Sequence, residues 1–163
     1  MSKIKFIGQI LAASISFFTM LLLSITVSQG AGMLKPVNPE GVNIPGISQA
    51  MIVNNGKLMF LSGHVPMGAD GKIKGATVAE QLEQVLANME RTLKAANADF
   101  SSLVRVTVYV KDYDASKLAG IRKVRDKWLN MKNPPASALI GVKDLFVPNA
   151  LVEVDAVAVI SNN

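Results

Sequence analysis

The clearest signal along the chain is a stripe of apolar residues at helical spacing. Val78, Leu82, Val85, Leu86, Met89 and Leu93 fall on one side of a 3.6-residue period. Thr77 followed three residues later by Glu80 is a capping-box signature, so a helix is predicted over 77–96. A second helix is predicted from Asp114 to about Met131, with Leu118, Ile121, Val124 and Trp128 inward and Asn133-Pro134-Pro135 as its stop. Between the helices, residues 103–111 (LVRVTVYVK) alternate and are rich in β-branched types. They read as a strand with Val104, Val106, Val108 and Val110 on one side and Leu103, Arg105, Thr107 and Tyr109 on the other. Residues 50–53 and 57–62 read as a hairpin closed by Asn54-Asn55-Gly56, because Asn-Gly supplies the positive backbone angles of a tight turn. Gly68-Ala69-Asp70-Gly71 marks a further turn. Residues 138–142 and 151–160 are the last strands, separated at Val147-Pro148-Asn149. The predicted order is ββαβαββ.

Two helices cannot cover both faces of a sheet of five or six strands, so the expected class is α+β with both helices on one face of a mixed sheet. The other face should then be polar. It is not: 151–159 (LVEVDAVAV) is largely apolar on both sides. A second apolar face on a small sheet points to self-association through it.

The first thirty residues differ from the rest. Lys3 and Lys5 precede a run, 6–28, with no charge, followed by the small residues Ser28, Gly30 and Ala31. This is the pattern of a secretory signal, and equally of an uncleaved membrane anchor, since about 20 apolar residues span a bilayer. Either way the remainder is expected outside the cytoplasm, in the periplasm or anchored facing it. Residues 31–44, with two prolines and no period, read as a linker or extended arm before a single domain at 45–161.

Composition narrows the chemistry. Hydrophobic residues make up 50% and charged residues 18% of the 163, which excludes a disordered chain. There is no cysteine and one histidine, His64, so disulfides, thiolate metal sites and a cysteine nucleophile are excluded. The expectation is no metal and no cofactor. Lys3 and Lys5 account for part of the net charge of +5, and +3 remains beyond them. Basic residues are scattered except for Arg122, Lys123, Arg125 and Lys127, which read as a solvated helix face. With aromatics at only 6%, no nucleic-acid partner is expected.

Five dispersed blocks carry a resemblance. They are Ile47-Ser48-Gln49-Ala50; Leu61-Ser62-Gly63-His64-Val65-Pro66; Gln81 with Asn88-Met89; 106–112 (VTVYVKD); and Pro135-Ala136-Ser137 followed by 152–158 (VEVDAVA). In that order the chain resembles the RidA family (YjgF, L-PSP), the reactive intermediate/imine deaminases also labelled endoribonuclease L-PSP. The resemblance implies a chorismate-mutase-like α+β fold and a homotrimer with small-molecule pockets at its subunit interfaces. It also implies hydrolysis of 2-imino or enamine acids to 2-oxo acids and ammonia. Such chemistry needs a cation for the substrate carboxylate, a held water and a group that stabilises the departing nitrogen. By the resemblance Glu153 is the catalytic, water-positioning carboxylate, and Ser62, Gly63, His64, Tyr109 and Ser137 are the substrate-binding positions.

The sequence departs from the family at one of these. Ser137 stands where the carboxylate-binding arginine belongs, and Ile47 where many members carry a tyrosine. Lys132 and Lys143 flank the segment, but a lysine offers a point charge rather than a fork. Plain readings stand beside the functional ones. Glu153 is a pocket carboxylate or an interface hydrogen-bonding group, Ser137 a ligand contact or a strand-end filler. His64 is a hydrogen-bonded pocket-wall residue or a general base. Two functions stay open: a deaminase with a divergent site, and a non-catalytic small-molecule-binding trimer.

Overall fold

The computed structural model describes residues 32–162; the N-terminal signal or anchor expectation falls on residues outside that range. The elements are β1 (Leu34–Val37), β2 (Ala50–Val53), β3 (Lys57–His64), α1 (Val78–Ala95), β4 (Leu103–Lys111), α2 (Leu118–Trp128), β5 (Ala136–Val142) and β6 (Val152–Ile160). Four strands form the main sheet in the order β3-β6-β4-β5. β6 runs antiparallel to both its neighbours, whereas β4 and β5 are parallel. Parallel strands need a long crossover, and α2 supplies it between β4 and β5, while α1 joins β3 to β4. Both helices close over one face, so the mixed-sheet α+β expectation holds.

The core lies between that face and the helices. All six stripe residues of α1 are buried, as are Ile121 and Val124 of α2, against Val152, Val154, Ala156 and Ala158 of β6. The capping box forms as read. The Thr77 hydroxyl accepts from the Glu80 N–H (3.2 Å), and the Glu80 carboxylate accepts from the Thr77 and Ala76 N–H groups. Those backbone bonds, Ala76's foremost, hold the Glu80 carboxyl below its ordinary pKa. α1 ends with Asn97 in the left-handed region (φ 53°), where the Ala98 N–H bonds back to the Leu93 carbonyl.

Four expectations are corrected. First, 50–53 and 57–62 do not pair with each other: β2 pairs with β1 and β3 with β6. Gly56 explains it, because a Cβ there would fall 2.6 Å from the Ile160 carbonyl oxygen. The turn is pressed onto the end of β6 and hands the chain to a different partner. Second, the arm at 31–44 contributes a strand, β1, so the sheet system divides into four strands and two. Third, a register shift between Leu103 and Arg105 inverts the start of β4, and Leu103, not Val104, is buried with Val106 in the core. Fourth, Asp114 caps a short 3-10 turn, Ala115–Lys117, before α2, which ends at Trp128 rather than near Met131.

Gln81 is the polar pin of the fold. It is 2% exposed; its amide nitrogen donates to the Gly75 and Asn149 carbonyls (3.2 and 3.1 Å) and its oxygen accepts from the Leu151 N–H (2.7 Å). One side chain therefore ties the loop before α1 to the entry of β6. Gln81→Leu keeps the volume and strands those backbone groups, an expected loss of about 2–4 kcal/mol. Urea unfolding checks this, and a loss below about 0.5 kcal/mol would mean that the network is dispensable.

Candidate active site

The sheet separates the named residues onto its two faces. On the helix-free face, cross-strand pairing sets Glu153 of β6 opposite Tyr109 of β4, and Asp155 opposite Thr107. The Tyr109 hydroxyl donates to Asp155 Oδ2 (2.8 Å). That bond, more than burial, raises the Tyr109 pKa above the ordinary phenol value, because losing the proton would set two anions together. Glu153 lies against Gly63. A Cβ built on Gly63 would meet Glu153 Oε1 at 1.9 Å, so only a glycine lets the carboxylate rest on the β3 backbone. The β3–β6 register shifts between Leu61 and His64, so the backbone at Gly63 is irregular where the carboxylate meets it.

His64 is engaged at both nitrogens. Nδ1 donates to the Ser62 carbonyl (2.8 Å), and Nε2 is 2.8 Å from the Thr92 hydroxyl. The first bond fixes the Nδ1–H tautomer, since a carbonyl can only accept. His64 thus bridges β3 to α1. The Ser62 side chain is exposed on the same strand. Asn88 completes this side, donating to the Val65 and Met67 carbonyls (2.9 Å each) and fixing the loop after β3.

Ser137 is elsewhere. It pairs with Val106 in the β4–β5 ladder and therefore faces the helices. There it lines a cavity of about 250 Å³ between the sheet and both helices. The inner wall is apolar, with Leu82, Leu86, Met89, Leu103 and Val106 among its residues, and Ile47 and Tyr113 also contribute. Ile47 is brought there by Ser48, whose hydroxyl donates to the Pro134 carbonyl (2.6 Å) and whose N–H donates to that of Pro135 (3.1 Å).

Two residues missed in the sequence complete this wall: Arg122 and Arg125 of α2. The basic cluster is thus not uniformly a solvated face. Arg122, Lys123 and Lys127 are exposed, whereas the Arg125 side chain is only 15% exposed. A signal was present: Leu118, Arg122, Arg125 and Leu129 recur at i, i+4, i+7 and i+11, a single helical stripe. Among the described residues, no three His, Asp or Glu side chains gather to hold a metal ion.

Comparison with known proteins bears on the family and the fold. The family model described as Endoribonuclease L-PSP matches residues 44–160. Protein DfrA of Myxococcus xanthus is 35% identical over 113 residues, 69% of this chain and 83% of its own length. The chloroplastic Reactive Intermediate Deaminase A of Arabidopsis thaliana is also 35% identical over 113 residues, 68% of this chain and 57% of that longer protein. Among solved structures, YyfB of the conserved Rid protein family from Yersinia pestis superposes with a TM-score of 0.74 at 30% identity, covering 78% of this chain and 99% of that one. A chorismate-mutase-like α+β domain, with an L-PSP match across nearly all of it and a Rid protein of the same fold, places this chain in the Endoribonuclease L-PSP (Rid) family.

Proposed function

We propose that the protein is a Rid-type deaminase, hydrolysing reactive 2-imino or enamine acids to 2-oxo acids and ammonia. The observation that carries this is the Glu153 carboxylate seated on Gly63 in the face-exposed strand pair. Such a carboxylate accepts a proton from a water as its oxygen bonds to the imine carbon. The carbinolamine then collapses to the ketone, and the nitrogen leaves as ammonia with the protons taken up. The named relative from Arabidopsis supports the same reading. Glu153 and Ser137 lie on opposite faces of one sheet, so a site using both sides draws on two copies. We accordingly propose a homotrimer, joined through the exposed apolar face, with its pockets between subunits. From the charge-free run at 6–28, we place its work outside the cytoplasm.

Ser137 favours a second reading, because a hydroxyl brings no charge to β5: a trimer that binds the metabolite without turning it over. One assay separates the two. Imines are generated in situ by an amino-acid oxidase, and release of ammonia and 2-oxo acid is followed with the native full-length protein. Acceleration above buffer supports the deaminase. Release at the buffer rate overturns it and leaves the binding protein.

A further inference from the structure

We propose that Arg125 of α2 supplies the carboxylate anchor that β5 lacks, and that the apolar cavity behind it receives the ligand's side chain. The ligand class is then a short 2-imino or 2-oxo acid with a branched aliphatic side chain. This rests on the deaminase reading for its imine but not for its binding.

Arg125 and Ser137 line the same cavity, approached from opposite walls. The guanidinium is held in place rather than swinging in solvent. Nε and Nη2 donate to Asp126 Oδ1 (2.8 and 2.7 Å), and Nη2 donates to the Pro45 carbonyl (3.2 Å). Among the described residues nothing takes the two hydrogens on Nη1. Gly46 makes the seat: its Cβ would fall 2.4 Å from Nη2, so the guanidinium lies directly on bare backbone. With Nε and Nη2 committed to Asp126 and Pro45, Nη1 is the held, charge-assisted donor left for a carboxylate oxygen.

Charge and size define the ligand. Arg122 and Arg125 against Asp126 leave one positive charge at the cavity, which suits a monoanion. The rest of the wall is largely apolar, so that charge is weakly screened and an acid without a hydrophobic tail leaves the interior unfilled. About 250 Å³ is roughly eight water volumes. It lies below the usual range for drug-sized ligands, about 300–1,000 Å³. The space fits a small branched acid and not a nucleotide.

The test is calorimetric binding to the full-length protein, using 2-oxoisocaproate, its uncharged amide, and pyruvate. The native protein should bind 2-oxoisocaproate more tightly than the amide or pyruvate. Arg125→Gln should weaken the acid about tenfold or more, the range for a hydrogen bond to a charged group, while changing the amide less than about twofold. Arg125→Lys should recover part of the loss. Equal weakening of acid and amide would mean that Arg125 only holds the Pro45–Gly46 turn, and would overturn the proposal. So would undiminished acid binding by Arg125→Gln, or no acid binding by the native protein. If the acid binds through Arg125 but no imine is hydrolysed, this site stands and the deaminase reading fails.

Discussion

Glu153→Gln is expected to lower imine turnover by about two orders of magnitude or more, the usual scale for removing a positioned general base. Gly63→Ala should lower it nearly as far without touching the carboxylate. The added methyl carbon would sit 1.9 Å from Glu153 Oε1, and the two cannot coexist. What must move is the far end of a flexible side chain, so the protein should stay folded, with a stability change within about 1 kcal/mol. The combination of lost activity and an almost unchanged melting midpoint separates displacement of the carboxylate from general damage. The double variant should be no slower than Glu153→Gln alone, because both substitutions remove one function. Full activity in Gly63→Ala would show that Glu153 does not act from this position.

Much of the fold was legible because its determinants are local. The α1 stripe and the Thr77–Glu80 box lie within one helix, and the structure reproduces both. The bounds of β4 also follow from its own composition. What failed depends on partners distant in sequence. The bulge that buries Leu103 exists only against β6, 50 or so residues on. The Asn-Gly turn was correctly read as a turn, yet turn chemistry does not say which strand each arm will join. β1 carries Pro36, which argues against a strand except at an edge, and an edge is where it sits. At the site, Glu153 and Gly63 were named through the resemblance, and the structure brings them together. The withdrawal of Arg125 was signalled only by its place on the Leu118–Leu129 stripe, because whether a helix flank meets water or the turn before β2 is settled by packing.

Phe60→Asp is expected to turn a self-associated protein into a monomer and to remove its activity with it. Phe60 is 75% exposed and Leu58 52% exposed on the helix-free face of β3, and Phe60 stands opposite Val157 of β6. Together they form an apolar strip left exposed among the described residues. Monomeric soluble proteins seldom leave such a strip bare. A charged group placed there would have to be buried unpaired if copies still met, at a cost of several kcal/mol. Light scattering should therefore show the native protein as an oligomer and the variant at the monomer mass, with its circular dichroism retained, since Phe60 is outside the core. The link to activity is geometric. Glu153 and the Ser137 cavity open on opposite faces of one sheet, so a single chain cannot present both to one ligand, whereas an adjoining copy can. Turnover should then fall on dilution of the native protein, in step with its dissociation. A monomeric Phe60→Asp protein with full turnover would confine the chemistry to one chain and break that connection.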